Sequence, residues 1–239
     1  MSELRTENLT ISFGGLIATN NVNFKIKSGE ILGIIGPNGA GKTTLINLIA
    51  GIHFPTSGKI FLDDDEISTI PAHKRAAMGI GRTFQLIHPL EGLTVIQNIM
   101  TGFLFAQNMS LSRAKDEAVK LCKSLELTGL ERSTGQINIL ETKKMEIAKA
   151  LATNPKILFL DEVMAGLNST ETIEAIEIIK KIASERNLAV GVVEHVMGVI
   201  TKLTHKVIVL DNGQIIAEGP YEEVALNEKV KSAYLGGGA

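Results

Sequence analysis

Hydrophobic and polar positions alternate near the start of the chain, in LRTENLTISF and again in NVNFKIKSG, on either side of a turn-like GGLIATN. Alternation with a period of two is typical of strands that bury one face, so these segments predict antiparallel strands. The segments EILGIIG, KILFLDE and LAVGVVEH contain short apolar runs without alternation. Such runs are typical of strands buried on both faces.

Helical periodicity replaces this pattern from about Pro89 to Leu151, in VIQNIMTGFLFAQ, SLSRAKDEAVKLCKSLEL and ETKKMEIAKALAT. Strands and helices then alternate, and HKVIVLDNGQIIAEG predicts two strands joined around Asp211-Asn212-Gly213. This order predicts an α/β fold with a parallel sheet covered on both faces. Residues 1–88 and 155–239 are predicted to form the core, and residues 89–154 an inserted helical subdomain. The first strands and the terminal hairpin are predicted to form an antiparallel β annex, all within one domain of 239 residues.

Composition narrows the possible partners. The formal net charge is −2, whereas nucleic-acid-binding domains are usually clearly basic, so no nucleic-acid partner is expected. The single cysteine, Cys122, lies in a helical run and is interpreted as a core thiol. The apolar runs are far shorter than the ~20 residues of a transmembrane helix, and the polar start MSELRTENLT does not resemble a signal peptide. Attachment to a membrane would therefore depend on another protein.

The segment Gly36-Pro37-Asn38-Gly39-Ala40-Gly41-Lys42-Thr43 matches the phosphate-loop pattern G-x-x-x-x-G-K-[ST]. Glycines let the backbone wrap closely, so that successive N–H groups point at phosphate oxygens. Lys42 would supply positive charge to the β- and γ-phosphates, and the Thr43 hydroxyl would bind Mg²⁺. A strand precedes the loop and a helix follows it, which is the context that this motif requires.

Acidic residues and a histidine follow two other apolar strands. Asp161 is placed to hold Mg²⁺ through water, and Glu162 to polarise the attacking water. His195 follows a strand that should lie beside the other two, where it would face the γ-phosphate. Two acids after a strand are more often a solvated turn, and a lone histidine is more often structural. The phosphate loop favours the functional interpretation.

Two further candidates depend more on context. Gln85, in RTFQ at the start of the helical insertion, could sense Mg²⁺ or water, or could be a surface amide. Phe13 precedes the phosphate loop in a chain with only 4% aromatic residues, and could stack on adenine or pack in the core.

The segment INILETKKMEIA reads as the start of a helix. Asn138 is suited to the N-cap, and Glu141, three residues later, can reach back to it, which is a capping box.

With these elements in order, the chain resembles the ATP-binding subunit of ABC transporters over nearly its whole length. The motifs are the Walker A loop, the LFLDE Walker B strand, the glutamine loop and the switch histidine. A narrower resemblance, in FGGLIATNNVNF, GRTFQ, EIAKALATNP, DEVMAGLNSTE and GQIIAEG, is to the ATPase subunits of branched-chain amino acid importers, whose relatives carry urea or short amides.

The resemblance implies a phosphate-loop NTPase of the ABC ATPase type, with a RecA-like parallel sheet, and it implies ATP and Mg²⁺ as cofactors. The candidate catalytic residues are Glu162, His195 and Gln85, and the candidate metal ligands are Thr43, Gln85 and Asp161. The candidate nucleotide-binding residues are Phe13, Gly36, Pro37, Asn38, Gly39, Ala40, Gly41, Lys42, Thr43, Thr44 and Asn138.

The resemblance also implies a dimer of two ATPase subunits, each ATP lying between one chain's Walker A loop and the other chain's signature sequence, LSGGQ. Integral-membrane permease subunits would dock on the helical insertion near residues 86–104, placing the chain at the cytoplasmic face of the membrane as a peripheral subunit. A periplasmic or extracellular solute-binding protein would be an indirect partner.

The chain departs from the family at the signature, which falls on residues 137–141 as INILE. Asn138 replaces the serine, and branched apolar residues replace both glycines that let the γ-phosphate approach the helix. Leu140 would crowd that approach, and Glu141 would place a negative charge there unless Lys143 and Lys144 offset it. These changes favour a heterodimer with unequal ATP sites.

Smaller departures lie nearby. The D-loop would be residues 165–168, where Asn168 replaces the usual aspartate, and Val163 replaces a proline and is expected to suit a strand end.

Three alternatives remain beside the importer. A GTPase is disfavoured because the chain has no Asn-Lys-x-Asp motif. A soluble ABC ATPase of repair or translation would commonly carry coiled coils or tandem ATPase domains. A nucleotide-sensing subunit with weak hydrolysis is favoured by the altered signature and disfavoured by Glu162 and His195.

Overall fold

The computed structural model describes residues 1–84 and 89–235. Within these ranges the strands are β1 Glu3–Phe13, β2 Leu16–Lys27, β3 Ile31–Ile35, β4 Ser57–Leu62, β5 Asp65–Glu66, β6 Ile80–Arg82, β7 Ile157–Asp161, β8 Ala189–Val193, β9 Lys206–Asp211 and β10 Gln214–Gly219. The helices are α1 Lys42–Ala50, α2 Ala72–Met78, α3 Val95–Phe105, α4 Leu111–Ser124, α5 Ile139–Leu151, α6 Ser169–Glu185, α7 Met197–Leu203, α8 Tyr221–Val224 and α9 Glu228–Leu235, with a 3₁₀ turn at Thr134–Gln136.

The main sheet has six strands in the order β10-β9-β3-β8-β7-β6. The pairs from β9 to β6 are parallel, and only the edge strand β10 is antiparallel, to β9. The register sets Ile34 level with Val193, and Val193 level with Asp161. Three strand ends that carry candidate residues therefore meet at the carboxyl edge of the sheet, which is where open α/β sheets bind their ligands.

Alternate side chains of the central strands face opposite layers. Leu158 and Leu160 pack into a cluster with helices α3 to α6, whereas Ile157 and Phe159 face a second cluster with α1 and the strands near the N-terminus. Period-two alternation explains why an unbroken apolar run serves both faces. The predicted parallel sheet with two covered faces is confirmed.

The second sheet is antiparallel, in the order β2-β1-β4-β5. The prediction that the terminal hairpin belongs to this annex was wrong, because β9 pairs with β3 and extends the main sheet. The Asn212-Gly213 turn itself is confirmed, with φ of 46° and 76°, the left-handed values of a type I′ hairpin turn. In GGLIATN only Gly14-Gly15 form the turn, and β2 already begins at Leu16.

Three helices, α3, α4 and α5, occupy the middle of the chain, and each begins with a polar cap. Thr94, Ser110 and Asn138 each accept a hydrogen bond from the backbone N–H three residues on, which satisfies one free donor of the first turn.

Cys122 is buried among these three helices, and burial raises its pKa to about 11, consistent with the predicted core thiol. Among the described residues, no helix has the length and apolar character needed to span a membrane.

Candidate functional site

The phosphate loop connects the buried strand β3 to α1 through three glycines with positive φ: Gly36 at 150°, Gly39 at 80° and Gly41 at 99°. A Cβ atom at Gly36 would lie 2.1 Å from the Leu210 carbonyl oxygen, and one at Gly41 would lie 2.5 Å from that of Ala18. One at Gly39 would meet nothing within 4 Å. The loop is therefore packed against protein on its inner side and open on its outer side, where an anion can approach the backbone N–H groups.

Two distant segments hold the back of this loop. The Gly213 N–H donates to the Ala40 carbonyl at 3.0 Å, and the Gly213 carbonyl accepts from Asn20 N–H at 2.8 Å. The hairpin turn and β2 thus fix the loop from behind. Of the remaining loop residues, Pro37 is half-buried, and Asn38 is exposed beside Gly39.

Lys42, the first residue of α1, points back along the loop. Its Nζ donates to the carbonyls of Gly36 at 2.8 Å and Pro37 at 2.9 Å. Burial lowers the pKa of Lys42, and the charges of Glu162 and Asp161 oppose that shift. The structure thus brings the loop lysine and both acids close together, as the sequence predicted. Thr43 and Thr44 follow in the first turn, exposed and half-buried respectively.

Asp161 ends β7 and is only 1% exposed. Neither carboxylate oxygen has a hydrogen-bond partner within the described residues, and the Arg82 guanidinium lies 3.8 Å from Oδ2. Burial raises the pKa of Asp161 despite the nearby Arg82. Buried polar groups are normally satisfied, so an acid left in this condition is a candidate ligand for a cation.

Glu162 follows directly and adopts φ of +50°. Its Oε1 lies 2.8 Å from Nε2 of His195, which follows the neighbouring strand β8. The Glu162 N–H donates to the Val193 carbonyl at 2.9 Å, which fixes the backbone between the two strands. The structure therefore pairs two of the predicted catalytic residues.

Three supporting residues were not found from the sequence. Thr83 accepts a hydrogen bond from the Asp161 N–H at 3.0 Å. Arg82 stacks on Phe84, with 4.6 Å from its guanidinium carbon to the ring centroid, and also faces Asp161. Glu194, beside His195, is buried and accepts from Met164 N–H at 2.9 Å; burial raises its pKa. For each of these residues, the sequence offered one signal: a polar side chain between an apolar strand and a recognised motif. Gln85 lies outside the described residues.

Phe13 lies at the end of β1 and is 44% exposed. Its ring contacts His53 edge to face, with 5.3 Å between the ring centroids. Phe13 is therefore not a core residue, and the core-packing alternative for it is wrong. Its exposed ring face could accommodate a nucleotide base.

The INILE segment begins α5. Asn138 Oδ1 accepts from Glu141 N–H at 2.8 Å and Glu141 Oε2 accepts from Asn138 N–H at 2.9 Å, which confirms the capping box. Glu141 pairs chiefly with Arg132, which lowers its pKa, and the charge of Lys144 adds a smaller lowering, so Lys144 offsets the acid as considered from the sequence, whereas Lys143 is directed elsewhere. Lys143 bonds the Glu162 carbonyl, and Lys144 pairs with Glu174.

The neighbouring D-loop candidate also has a local explanation. Asn168 caps α6 in a second capping box with Glu171. Val163 lies in the turn after β7, buried, rather than at the strand end as expected. A Cβ at Gly166 would approach Ile139 to 3.7 Å, so this turn lies against the INILE segment.

Within the described part of the chain, no hydrogen bond or ion pair joins residues 137–141 to the phosphate loop. The site fits a nucleoside triphosphate with a divalent cation, because it combines a glycine-lined loop, a buried lysine and the unsatisfied Asp161. No group of three or more His, Cys, Asp or Glu residues that could hold a metal occurs in the described ranges.

Comparisons with known proteins agree with this geometry. A family model described as ABC transporter matches residues 19–165, and one described as branched-chain amino acid ATP-binding cassette transporter matches residues 214–239. The high-affinity branched-chain amino acid transport ATP-binding protein BraF of Pseudomonas aeruginosa is 36% identical, over 98% of this chain and 97% of that protein. The lipopolysaccharide export system ATP-binding protein LptB of Escherichia coli is 34% identical, over 99% of this chain and 98% of that protein. An ATP-binding cassette of an ABC transporter, solved in its ADP conformation, superimposes with a TM-score of 0.88 at 31% identity, over 99% of both chains.

Proposed function

The chain belongs to the ABC transporter family and is an ATP-hydrolysing subunit, and we propose that it powers an importer of branched-chain amino acids. The observation that carries the catalytic part is the meeting of Lys42, Asp161 and the Glu162–His195 pair at one edge of the sheet. The resemblance of residues 214–239 to the branched-chain family and the similarity to BraF support the solute.

We propose that the residues of the site act as follows. The loop N–H groups and Lys42 bind the phosphates. Thr43 and Asp161 hold Mg²⁺, which supplies positive charge to the phosphate oxygens when bound. Glu162 orients the attacking water and draws its proton, and His195 holds the Glu162 carboxylate in place. Water then attacks the γ-phosphorus as the bond to the β-phosphate oxygen breaks, and ADP leaves.

Gln85 and Phe13 complete the proposal. Gln85 would contact Mg²⁺ or the attacking water, and Phe13 would stack on adenine with the ring face that His53 leaves open. Replacing Phe13 with Ala should weaken ATP binding without changing the turnover of bound nucleotide.

We propose that the chain works as a heterodimer with a second ATPase subunit, in two unequal composite sites. Asn138 and the N-terminus of α5 would face the partner's nucleotide, whereas an intact partner signature would complete this chain's own loop. Ile139, 55% exposed, and Leu140 take the glycine positions. Arg132 pairs with Glu141 and offsets its negative charge. Crowding by Ile139 and Leu140, rather than the charge of Glu141, would therefore weaken the second site.

The permease is proposed to dock on a groove between the core and the helical insertion. This groove encloses about 470 Å³ and is lined mostly by apolar groups, among them Phe84 and Phe105 at its rim. Phe84 is 52% exposed and Phe105 is 83% exposed on the same groove, and neighbouring exposed apolar side chains of this kind mark interaction sites. Docking there would hold the chain at the cytoplasmic face of the membrane as a peripheral subunit.

Two measurements test the proposal. ATPase activity of the complex isolated through a tag on this chain should fall strongly with Glu162→Gln here, and much less with the equivalent change in the second ATPase subunit. Equal losses would contradict the unequal sites. Uptake of radiolabelled leucine should require this chain in its host and fail with Glu162→Gln. Normal leucine uptake without the chain, with loss of urea or short-amide uptake, would favour that narrower alternative.

A further inference from the structure

Glu162 is held in a backbone conformation that a glutamate rarely adopts. Its φ is +50°, in the left-handed region, and most of the other non-glycine residues that the structure describes there are asparagines. Such a conformation persists only where neighbouring groups fix it. Here the N–H donates to the Val193 carbonyl on β8, and the carbonyl accepts from Nζ of Lys143 on α5.

Lys143 is an unusual group to find there. It is 8% exposed, and lysine is almost never buried without a partner. Its Nζ lies 3.2 Å from the Glu162 carbonyl oxygen. Burial lowers the pKa of Lys143, opposed by the charges of Glu194, Glu162 and Glu146. A buried cation is thus aimed at the backbone of one residue and is surrounded by acids.

We propose that Lys143 is a positioning residue for Glu162, fixing the backbone from which its carboxylate reaches His195 and the attacking water. This inference rests on the role proposed above for Glu162. Lys143 lies in the helical segment that follows INILE, and the capping box at the start of that helix does not explain the contact of Lys143 with Glu162.

The next residue provides a matched control. Lys144 lies on the same helix, is 5% exposed, and bonds Glu174 Oε1 at 2.6 Å and the Glu126 carbonyl at 3.4 Å. Lys144→Met removes an equally buried cation without touching Glu162. Lys143→Arg keeps a cation on the same stem, and Lys143→Gln keeps a donor if Lys143→Met does not fold.

The test is steady-state ATPase of the isolated complex, with variants in this chain and thermal unfolding as the measure of folding. Lys143→Met should lower kcat roughly 10- to 100-fold, the scale of a small misplacement, with KM for ATP within about twofold. Lys143→Arg should restore most of the activity, and Lys144→Met should keep kcat within about threefold at a similar loss of stability.

The outcomes separate the inference from the proposed function. Normal kcat in Lys143→Met, with an inactive Glu162→Gln, overturns the inference and leaves the role of Glu162 intact. Equal losses in Lys143→Met and Lys144→Met, or a change confined to KM, also overturn it. Full activity in Glu162→Gln overturns the proposed role of Glu162, and the inference with it.

Discussion

Asp161→Asn should make the nucleotide-free protein more stable. The carboxylate is buried, and neither oxygen has a hydrogen-bond partner in the described residues. A buried acceptor left unsatisfied costs about 1–3 kcal/mol, and a charged one costs more. The amide keeps the shape and removes the charge. Arg82 loses an attraction across 3.8 Å but keeps hydrogen bonds to Asn47 Oδ1 at 2.6 Å and the Thr83 carbonyl at 3.2 Å.

The amide still leaves an acceptor and its own N–H donors buried, so the substitution recovers only the extra cost of burying a charge, less the lost attraction to Arg82. The expected net gain is therefore about 1–2 kcal/mol at neutral pH. For a chain of this size that corresponds to a rise in Tm of roughly 2–8 °C. The free energy of unfolding, from urea titration without nucleotide or Mg²⁺, measures it directly.

The gain has a defined pH dependence. Because the folded pKa of Asp161 is raised above the ordinary value of 3.8, the folded state binds the proton more tightly than the unfolded state. The wild type is therefore not penalised below about pH 4, loses stability as the pH rises through the folded pKa, and carries the full penalty above it. The advantage of Asp161→Asn should be full above the folded pKa of Asp161 and should shrink as the pH falls through that pKa towards the ordinary value of 3.8.

Asp63→Asn is the matched control with the opposite sign. Burial would raise the pKa of Asp63, but the Glu3 N–H at 2.9 Å and Lys156 at 3.0 Å together hold it below the ordinary value. Its charged form stabilises the fold above the unfolded pKa and stops doing so as the pH falls, so Asp63→Asn should destabilise at pH 7.

With Mg-ATP present, the wild type should become more stable to unfolding than Asp161→Asn. A ligand that binds only the folded state adds about 2.7 kcal/mol at one hundred times its Kd, which exceeds the predicted gain of Asp161→Asn. The wild type should respond fully and the variant weakly. A variant no more stable than the wild type without ligand at pH 7.5, or one whose gain does not depend on pH, would refute the reasoning.

Two further substitutions test local contacts by urea unfolding. Asn138→Ala should cost about 1 kcal/mol because the Glu141 N–H loses its acceptor, and Asn138→Gly should cost only a few tenths; equal costs would contradict the capping role. Arg75→Met should destabilise by about 3 kcal/mol or more, because the fully buried guanidinium donates to the Leu48 and Ile49 carbonyls at the end of α1 and their acceptors would be left buried; a loss below about 1 kcal/mol would exclude this contribution.

The meeting of the candidate motifs at one edge of the sheet was predictable from the sequence, because each motif ended an apolar run and parallel strands bring such ends together. The capping box at Asn138 was also predictable, since both partners lie three residues apart. The short elements α2 and β6 were not identified, because seven and three residues carry too little periodicity. The helices α8 and α9 after the hairpin were missed as well.

Contacts across long separations could not be predicted from one sequence. The placement of β9 beside β3 depends on a parallel pairing that no local pattern encodes, whereas the hairpin turn is local. The Arg132–Glu141 pair crosses a loop with a 3₁₀ turn, and Lys143 reaches the Glu162 carbonyl from another element. In each case the residue types were visible, but the partner was decided by tertiary packing.

The hydrogen bond from Gly213 to Ala40 has a consequence for how the protein is made. The turn that braces the phosphate loop is translated 173 residues after Ala40. At about 5–20 residues per second the two are separated by on the order of ten seconds or more. We therefore expect nucleotide to stabilise the loop only after this turn has been made and has bonded to Ala40. Any shortened fragment that keeps every phosphate-binding residue but ends before this turn should fail to hold nucleotide.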